Sequence, residues 1–190
     1  MATTYIGKWN GHSIRVENTM TTEKLFYDDQ LISESGKGIK FGSALDGEMP
    51  DSGGMHCYVL LNGAAWPVPK CCAIIGIPVQ GETDKKQQTF SCTYNGTEIR
   101  LENRKSTLLD RQCFLLINGE EVDKEDQGLH FVCILSGSPD ENGKKIVGVL
   151  DGVTSLNPVF NVFAEAEVIE IDHFEGELIS TQEAENESPA

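Results

Sequence analysis

The sequence Asn10-Gly11-His12-Ser13-Ile14-Arg15-Val16-Glu17-Asn18 returns downstream as Asn95-Gly96-Thr97-Glu98-Ile99-Arg100-Leu101-Glu102-Asn103. Further segments match in the same order: 38–41 with 128–131, 50–54 with 139–143, and 60–63 with 149–152. The offset between matched positions rises only from 85 to 90 residues along the chain. Such a steady offset indicates one structural unit that occurs twice, so the sequence predicts two tandem homologous units.

The repeated stretch has the period of a half-buried β-strand. Ile14 and Val16 alternate with charged residues, as do Ile99 and Leu101 in the second copy, so we expect these four side chains to be buried. Asn-Gly and Asp-Gly pairs supply the positive φ angles of tight hairpin turns. They begin at positions 10, 46, 62, 95, 118, 142 and 151. The predicted fold class is all-β, with two antiparallel units of sandwich or barrel-like form.

Composition places the unit boundaries. The polar run 83–88 is the predicted linker between a first unit at 1–82 and a second unit at 89–172. Residues 173–190 are acidic and lack periodicity, so we expect a disordered, solvated tail there. A unit of this size is close to the lower limit for a self-sufficient core. We therefore expect the two units to pack together.

The longest alternating run spans 159–171. Its pattern predicts a strand with five side chains on one face: Phe160, Val162, Ala164, Ala166 and Val168. The matching run in the first unit, 70–79, is that unit's most apolar stretch. We expect one or both runs to bury apolar surface between the units.

The charge balance excludes some partners. The formal net charge is -15 and the pI is near 4.5, so a nucleic acid backbone or an anionic membrane surface would be repelled. The N-terminal sequence has neither a basic nor an apolar signal region, and no stretch approaches the about 20 apolar residues of a membrane span. We therefore expect a cytoplasmic protein with reduced thiols.

The repeat supplies an internal comparison, because chemistry that both units need should recur in both. Five of the six cysteines match other residue types: Cys57 with Ile146, Cys71 with Phe160, Cys72 with Asn161, Cys92 with Gly7 and Cys133 with Ser43. This pattern is typical of free, buried cysteines, and it predicts no metal and no cofactor. A zinc site that combines His56 and Cys57 with Cys71 or Cys72 is the alternative.

None of the histidines matches a histidine in the other copy. The comparison pairs His56 with Lys145, His130 with Lys40 and His12 with Thr97, while His173 lies at the edge of the tail. The nucleophile elbow Gly-x-Ser-x-Gly and a complete phosphate-binding loop are both absent from the sequence. No catalytic residue is predicted. The alternative that stays open is an enzyme whose site lies between the units.

Charged pairs do recur. Arg15 with Glu17 and Arg100 with Glu102 stand two residues apart on one strand face. This arrangement is typical of a solvated face whose charges pair across strands, and it also marks a candidate recognition face. We add the aromatic pair Trp9 and Tyr94 to that face, because the position stays aromatic in both copies.

Other polar features suit a ligand-binding module. Trp9 and Trp66 could stack on a sugar, although Trp66 matches Ser155. The oxygen-rich loops at 46–53 and 136–143 contain no complete calcium motif, since the Asp-x-Asp-x-Asp-Gly frame is missing. A polar hairpin loop is therefore favoured over a calcium site.

The layout resembles the Fas apoptosis inhibitory molecule family. The resemblance lies in the strand Ile14–Asn18 followed by Leu25-Phe26-Tyr27-Asp28-Asp29-Gln30-Leu31-Ile32, and in their counterparts Ile99–Asn103 and Phe114–Val122. It implies a cytosolic tandem of compact β-sandwich domains that lacks known catalytic residues and acts through protein contacts. These are expectations from the resemblance, and they concern architecture above all.

The function that these observations favour is non-enzymatic binding of another protein. A carbohydrate- or calcium-binding β module is the second hypothesis, and an enzyme with a site at the unit interface is the third. No feature of the sequence identifies the partner or the oligomeric state.

Overall fold

The computed structural model describes residues 3–19, 21–36, 42–62, 70–105, 111–127, 132–139, 143–151 and 157–174. These ranges contain fifteen β-strands and no helix, so the all-β prediction is confirmed. A helix long and apolar enough to cross a membrane is accordingly not found in them.

The strands follow in the same order in the two units. The first unit contains β1 (Thr3–Trp9), β2 (His12–Asn18), β3 (Thr22–Tyr27), β4 (Gln30–Gly36), β5 (Gly42–Glu48), β6 (His56–Asn62) and β7 (Lys70–Pro78). After the short strand β8 (Gly81–Asp84), the second unit contains β9 (Thr89–Tyr94), β10 (Thr97–Lys105), β11 (Arg111–Ile117), β12 (Glu120–Gln127), β13 (Val132–Gly137), β14 (Ile146–Asp151) and β15 (Val159–Phe174).

Two-residue turns explain the hairpins. Asn10 and Gly11 have φ angles of 48° and 86°, and Asn95 and Gly96 have 48° and 81°. Both residues of each turn are in the left-handed region, which matches the twist of the flanking strands and which Asn and Gly tolerate. The repeated dipeptides therefore fix the register of β1 with β2 and of β9 with β10.

The strands form two antiparallel sheets that are not divided between the units. Strands β4-β3-β2-β1-β15-β7-β6-β5 pair in this order, with β14 added to β15 and β13 to β14. The second sheet has the order β12-β11-β10-β9-β8. Strand β15 is the junction, because one edge pairs with β7 and the other pairs first with β14 and then with β1.

Each unit has its own apolar core, and the alternating strands supply it. Ile14, Val16, Ile99 and Leu101 are all fully buried, as the alternation predicts. Each core also takes side chains from the opposite half of the chain. Ile171 of β15 belongs to the first-unit core, and Val79 packs against the second-unit core.

A third core lies between the units. We call it the central core, and it contains Tyr58, Leu60, Ile74, Val147, Val149, Phe163 and Ala166. The first three residues come from β6 and β7, and the others come from β14 and β15. The runs 70–79 and 159–171 thus bury apolar surface between the units, as their composition indicates.

The prediction that one face of β15 is continuous is wrong. The register with β7 shifts between Ala164 and Glu167, and Glu165 has a φ of 53°, which marks a β-bulge. Before the bulge, Phe160 and Val162 lie in the second-unit core. Beyond it, Ile171 lies in the first-unit core instead. The one extra residue of the bulge exchanges the two faces of β15. The strand therefore contributes side chains to the second-unit core before the bulge and to the first-unit core after it.

Glycines close each unit at the same place. A β-carbon on Gly47 in β5 would lie 2.6 Å from the carbonyl oxygen of Ile32 in β4. At the matching position, a β-carbon on Gly137 in β13 would lie 2.6 Å from Cγ2 of Val122 in β12. Both glycines therefore allow a close approach between successive strands, β4 with β5 and β12 with β13, that a side chain would block.

The segments interpreted as linker and tail have some structure. Strand β8 includes the first two residues of 83–88 and pairs with β9, while β15 continues to Phe174 and pairs with β1. Several features lie outside the described residues: Trp66, Ser155, His130, 140–142 of the second acidic loop and 175–190 of the tail.

Candidate functional site

The recurring charged pairs are engaged within the unit that carries them. Arg15 on β2 forms an ion pair with Glu17, lies 3.3 Å from Asp29 and stacks 3.9 Å above the ring centre of Phe26. These contacts leave the Arg15 side chain 16% exposed. Its charge is therefore compensated locally.

In the second copy, the charges are paired with different neighbouring residues. Glu102 on β10 accepts ion pairs from Arg100 at 2.9 Å and from Arg104 at 2.5 Å, and its side chain is only 10% exposed. Arg104 in turn covers the ring of Phe114 at 4.1 Å. The four charged residues of the predicted recognition face thus form two separate networks, one in each unit: Arg15 with Glu17, and Arg100 with Glu102.

The recurring aromatic pair has a different environment. Trp9 at the end of β1 donates its indole N–H to Oε2 of Glu167 at 2.9 Å. Tyr94 at the end of β9 donates its hydroxyl to Oε1 of Glu165 at 2.9 Å. Both acceptors lie on the bulged stretch of β15. Each aromatic ring is thereby held at the mouth of a pocket in its own unit.

The first-unit pocket has a volume of about 510 Å³, within the range of small-molecule sites. It lies where the β1–β2 and β3–β4 turns meet the loop that follows β5. Its lining combines aromatic, polar and apolar side chains: Trp9, Asn10, His12, Tyr27, Asp28, Gln30, Pro50, Asp51, Ser52 and Met55.

A histidine and a carboxylate form one wall of this pocket. Nδ1 of His12 donates to Oδ2 of Asp28 at 2.5 Å, and the backbone N–H of Ser13 donates to the other carboxylate oxygen at 2.8 Å. These hydrogen bonds lower the pKa of Asp28 below its usual range, with the bond from His12 as the main cause. The imidazole also stacks on the Tyr27 ring, with 5.1 Å between centroids.

The loop after β5 forms the opposite wall. The Ser52 hydroxyl donates to the carbonyl oxygen of Met49 at 2.7 Å and accepts from the N–H of Met55 at 3.1 Å. Ser52 therefore holds the loop in shape. Asp51 has a φ of 54°, a turn conformation, and its side chain is exposed.

The second-unit pocket lies at the matching place but is smaller, about 150 Å³. It is lined by Tyr94, Asn95, Thr97, Pro139, Lys144, Ile146, Ala164 and Glu165. Lys144 forms an ion pair with Glu165 inside it. The hydrogen bonds from Lys144 and Tyr94 lower the pKa of Glu165, so this carboxylate already has two partners within the chain.

The two pockets differ at the positions that carry charge. His12 and Asp28 match Thr97 and Asn118, and Met55 matches Lys144. Asn118 makes the same hydrogen bond across the hairpin as Asp28. Its Oδ1 accepts from the N–H of Glu98 at 3.0 Å, just as Asp28 accepts from the N–H of Ser13. The carboxylate of Asp28 and the imidazole of His12 are therefore specific to the first copy of this hairpin, whereas Asp51 matches Asp140, which lies outside the described residues.

The residues weighed as metal ligands do not form a metal-binding group in the part of the chain that the structure describes. Among the described residues, no group of three His, Cys, Asp or Glu side chains is arranged to hold a metal ion. His56 bonds to Asp46 of the first acidic loop at 2.9 Å. Burial raises the pKa of the Cys57 thiol to about 12 and also raises that of Cys71, which disfavours the thiolate form that zinc requires.

The comparison of the two copies missed His12 and Asp28, because it treats a residue that is replaced in the other copy as a filler, so a site that belongs to one unit escapes it. It placed Asp51, which matches Asp140, in a polar loop without a role. A usable signal was present, because three charged or ionisable differences fall in the turns around the recurring aromatic position. Comparison with protein-family models, curated proteins and solved structures finds no match to this chain.

Proposed function

We propose that this is a non-enzymatic tandem β-domain protein that acts by binding another protein, and that the first-unit pocket receives a side chain of the partner. The observation that carries this proposal is the asymmetry between the pockets. Among the described lining residues, the first pocket is the wider one and has two carboxylates, those of Asp28 and Asp51, with no lysine beside them, whereas the second has Glu165 paired with Lys144. A feature present in one copy only is not required by the shared scaffold.

Binding suits these residues better than catalysis. The His12–Asp28 pair is about half exposed, with 47% and 48% of the two side chains accessible. Ser52, the hydroxyl residue in the same pocket, is committed to backbone hydrogen bonds. The central core between the units is apolar, so the third hypothesis, an enzyme site at that interface, gains no support from it.

The resemblance to the Fas apoptosis inhibitory molecule family agrees with this proposal, because that family acts through protein contacts. Under the same proposal the two units arose by internal duplication, and the protein works in the cytoplasm. Its net charge of -15 favours a basic partner over an acidic one.

Carbohydrate binding is the second candidate, and one observation favours it. Trp9 borders the pocket together with the amide side chains of Asn10 and Gln30. An aromatic surface beside amide and carboxylate groups can also hold a sugar ring and its hydroxyls.

Affinity capture with paired variants tests the proposal. Wild type, Asp51→Asn and Arg100→Gln would be immobilised and exposed to a lysate of the cells that make the protein, and bound proteins would be quantified by mass spectrometry. We expect at least one protein to be retained by wild type and Arg100→Gln but depleted on Asp51→Asn. Equal retention by all three would contradict a role for the pocket. A glycan-array signal that Asp51→Asn removes would favour the second candidate.

A further inference from the structure

The first-unit pocket is electrostatically negative. Its lining contains the carboxylates of Asp28 and Asp51, and no lysine or arginine occurs among the described lining residues. His12 donates a ring N–H to one of the two carboxylates, and no such partner of Asp51 is found among the described lining residues. Anionic ligands are therefore disfavoured, and a positive charge is favoured.

The same pocket offers surface for an alkyl chain. Met55 and Pro50 are apolar, and the aromatic rings of Trp9 and Tyr27 add π-faces, which attract cations in addition to their apolar contact area. A lysine side chain combines a four-carbon stem with a terminal ammonium, and it commonly buries the stem along apolar surface while its charge meets polar groups. The lining has both kinds of surface that such a side chain needs.

In the second unit the chain itself supplies an ammonium beside the recurring aromatic position, and the carboxylate that it meets lies on β15 rather than in the turns. Nζ of Lys144 contacts Oε2 of Glu165, whose other oxygen accepts from the Tyr94 hydroxyl. The matching residue in the first unit is Met55, and the matching aromatic is Trp9. The fold thus places an ammonium beside the recurring aromatic position in one copy and an uncharged thioether there in the other.

From these three observations we infer that the first-unit pocket recognises a lysine side chain presented by a protein partner. The inference rests on the proposed function and names the chemistry of its ligand. In the complex, the lysine ammonium lies between the carboxylates of Asp28 and Asp51, and its stem contacts Met55 and Trp9. Lys144 is the internal counterpart of the side chain that the partner provides.

Peptide titration on the full-length protein tests this inference. The probes are peptides that differ only at a central residue, which is lysine, acetyl-lysine or glutamate between glycine and serine spacers, together with n-butylammonium chloride. Binding would be followed by two-dimensional NMR. We expect saturable shifts at the pocket residues with the lysine peptide, at least about tenfold weaker binding of the acetyl-lysine peptide, and no saturation with the glutamate peptide.

Three variants make the result specific. Met55→Lys copies Lys144 into the first pocket and should abolish binding of the lysine peptide. Asp51→Asn removes one exposed carboxylate and should weaken binding about tenfold without affecting folding. Val159→Lys is the matched control, since it adds the same charge at a position on β15 that is 55% exposed and outside the pocket, and it should bind like wild type.

The outcomes separate the inference from the proposed function. Equal binding of the lysine and acetyl-lysine peptides would overturn the inference, although the pocket would still bind a peptide. Loss of binding in Val159→Lys would also overturn it, because the added charge would then act without entering the pocket. A free butylammonium ion that binds as tightly as the peptide would overturn the protein partner in favour of a small amine. If no lysine peptide binds while the affinity-capture partner still requires Asp51, the inference fails and the proposed function stands.

Discussion

Trp9 donates its indole N–H to Glu167 at 2.9 Å, and this bond joins the end of β1 to the bulged strand β15. The donor belongs to the first unit and the acceptor to the second. A wall of the first-unit pocket is therefore positioned by a residue that lies 158 positions away in the sequence. The pocket depends on the junction strand as well as on its own hairpins.

Replacing Glu167 should loosen this wall without harming the fold. Because Glu167 is exposed, Glu167→Ala removes one hydrogen bond worth about 1 kcal/mol, which corresponds to roughly fivefold weaker binding of the lysine peptide. The thermal midpoint should stay within a few degrees of wild type. The control is Glu170→Ala, an equally exposed carboxylate on the same strand that is outside the pocket lining. Equal effects of the two changes on affinity would refute the role of the bond.

Gly47 should be intolerant of any side chain. A β-carbon there would lie 2.6 Å from the backbone oxygen of Ile32, so β4 and β5 would have to separate. We expect Gly47→Ala to lower the free energy of unfolding by about 1–3 kcal/mol. Gly36→Ala is the matched control, because nothing lies within 4 Å of its β-carbon position, and it should change stability by less than about 0.5 kcal/mol. Urea denaturation followed by circular dichroism would measure both, and similar values would contradict the close approach.

Local patterns predicted much of this fold. Alternation placed Ile14, Val16, Ile99 and Leu101 in the cores. The Asn-Gly pairs at 10, 95 and 118 placed three hairpin turns, whereas the turn predicted at Asp46-Gly47 is wrong, because this pair lies inside β5. Those features depend on residues close together in sequence, so one sequence contains the information. The bulge at Glu165 was not predictable in the same way. Glu has no special preference for positive φ, and the bulge is fixed by the pairing of β15 with β7, β14 and β1 together.

The site was predicted less well than the fold. Trp9 and Tyr94 were found because they recur, and both line pockets. The charged pairs recur as well, but for a structural reason, since Arg15 and Glu102 are satisfied within their own sheets. Residues that recur in both copies are those that the common fold requires. A pocket that differs between the units depends instead on residues that differ, and these could be recognised as one site only once the structure showed that their turns lie side by side.

Acid should reveal the stabilising charge on Asp28. Its pKa is lowered in the folded protein, so the carboxylate contributes stability above its unfolded value of about 3.9, and that contribution is lost as the pH falls through the folded value. Asp28→Asn keeps an acceptor for the N–H of Ser13, as Asn118 does for Glu98, while it removes the charge and the carboxylate oxygen that accepts from His12. We expect wild type to be the more stable protein at pH 5, with the difference shrinking as the pH falls from 5 towards 2. Urea titrations at both values would test this, and a difference that is unchanged at pH 2 would contradict it.

The six cysteines should be reduced and should react in an order set by burial. Cys57 is fully buried, and burial raises its pKa to about 12, whereas Cys72 is partly exposed. Because the thiolate is the reactive form, iodoacetamide at pH 8 should modify Cys72 first, and Cys57 only after unfolding. Mass spectrometry of timed samples would give the order, and elemental analysis should find no stoichiometric zinc. A disulfide in material prepared from cytoplasm, or about one zinc per chain, would refute this prediction.

The two units should unfold as one cooperative body. Fragment 1–82 would lose Ile171 from the first-unit core, and fragment 88–172 would lose Val79 and strand β8 from the second, so both should be less stable than the whole chain. In the full chain, Phe163→Ala should remove about 3–5 kcal/mol because Phe163 is buried in the central core. Val159→Ala, at an exposed position of the same strand, should change little. NMR signals of the two units would report separate transitions if the units were independent. We expect Phe163→Ala to lower both midpoints together, whereas a shift confined to the second unit would show that the central core does not couple them.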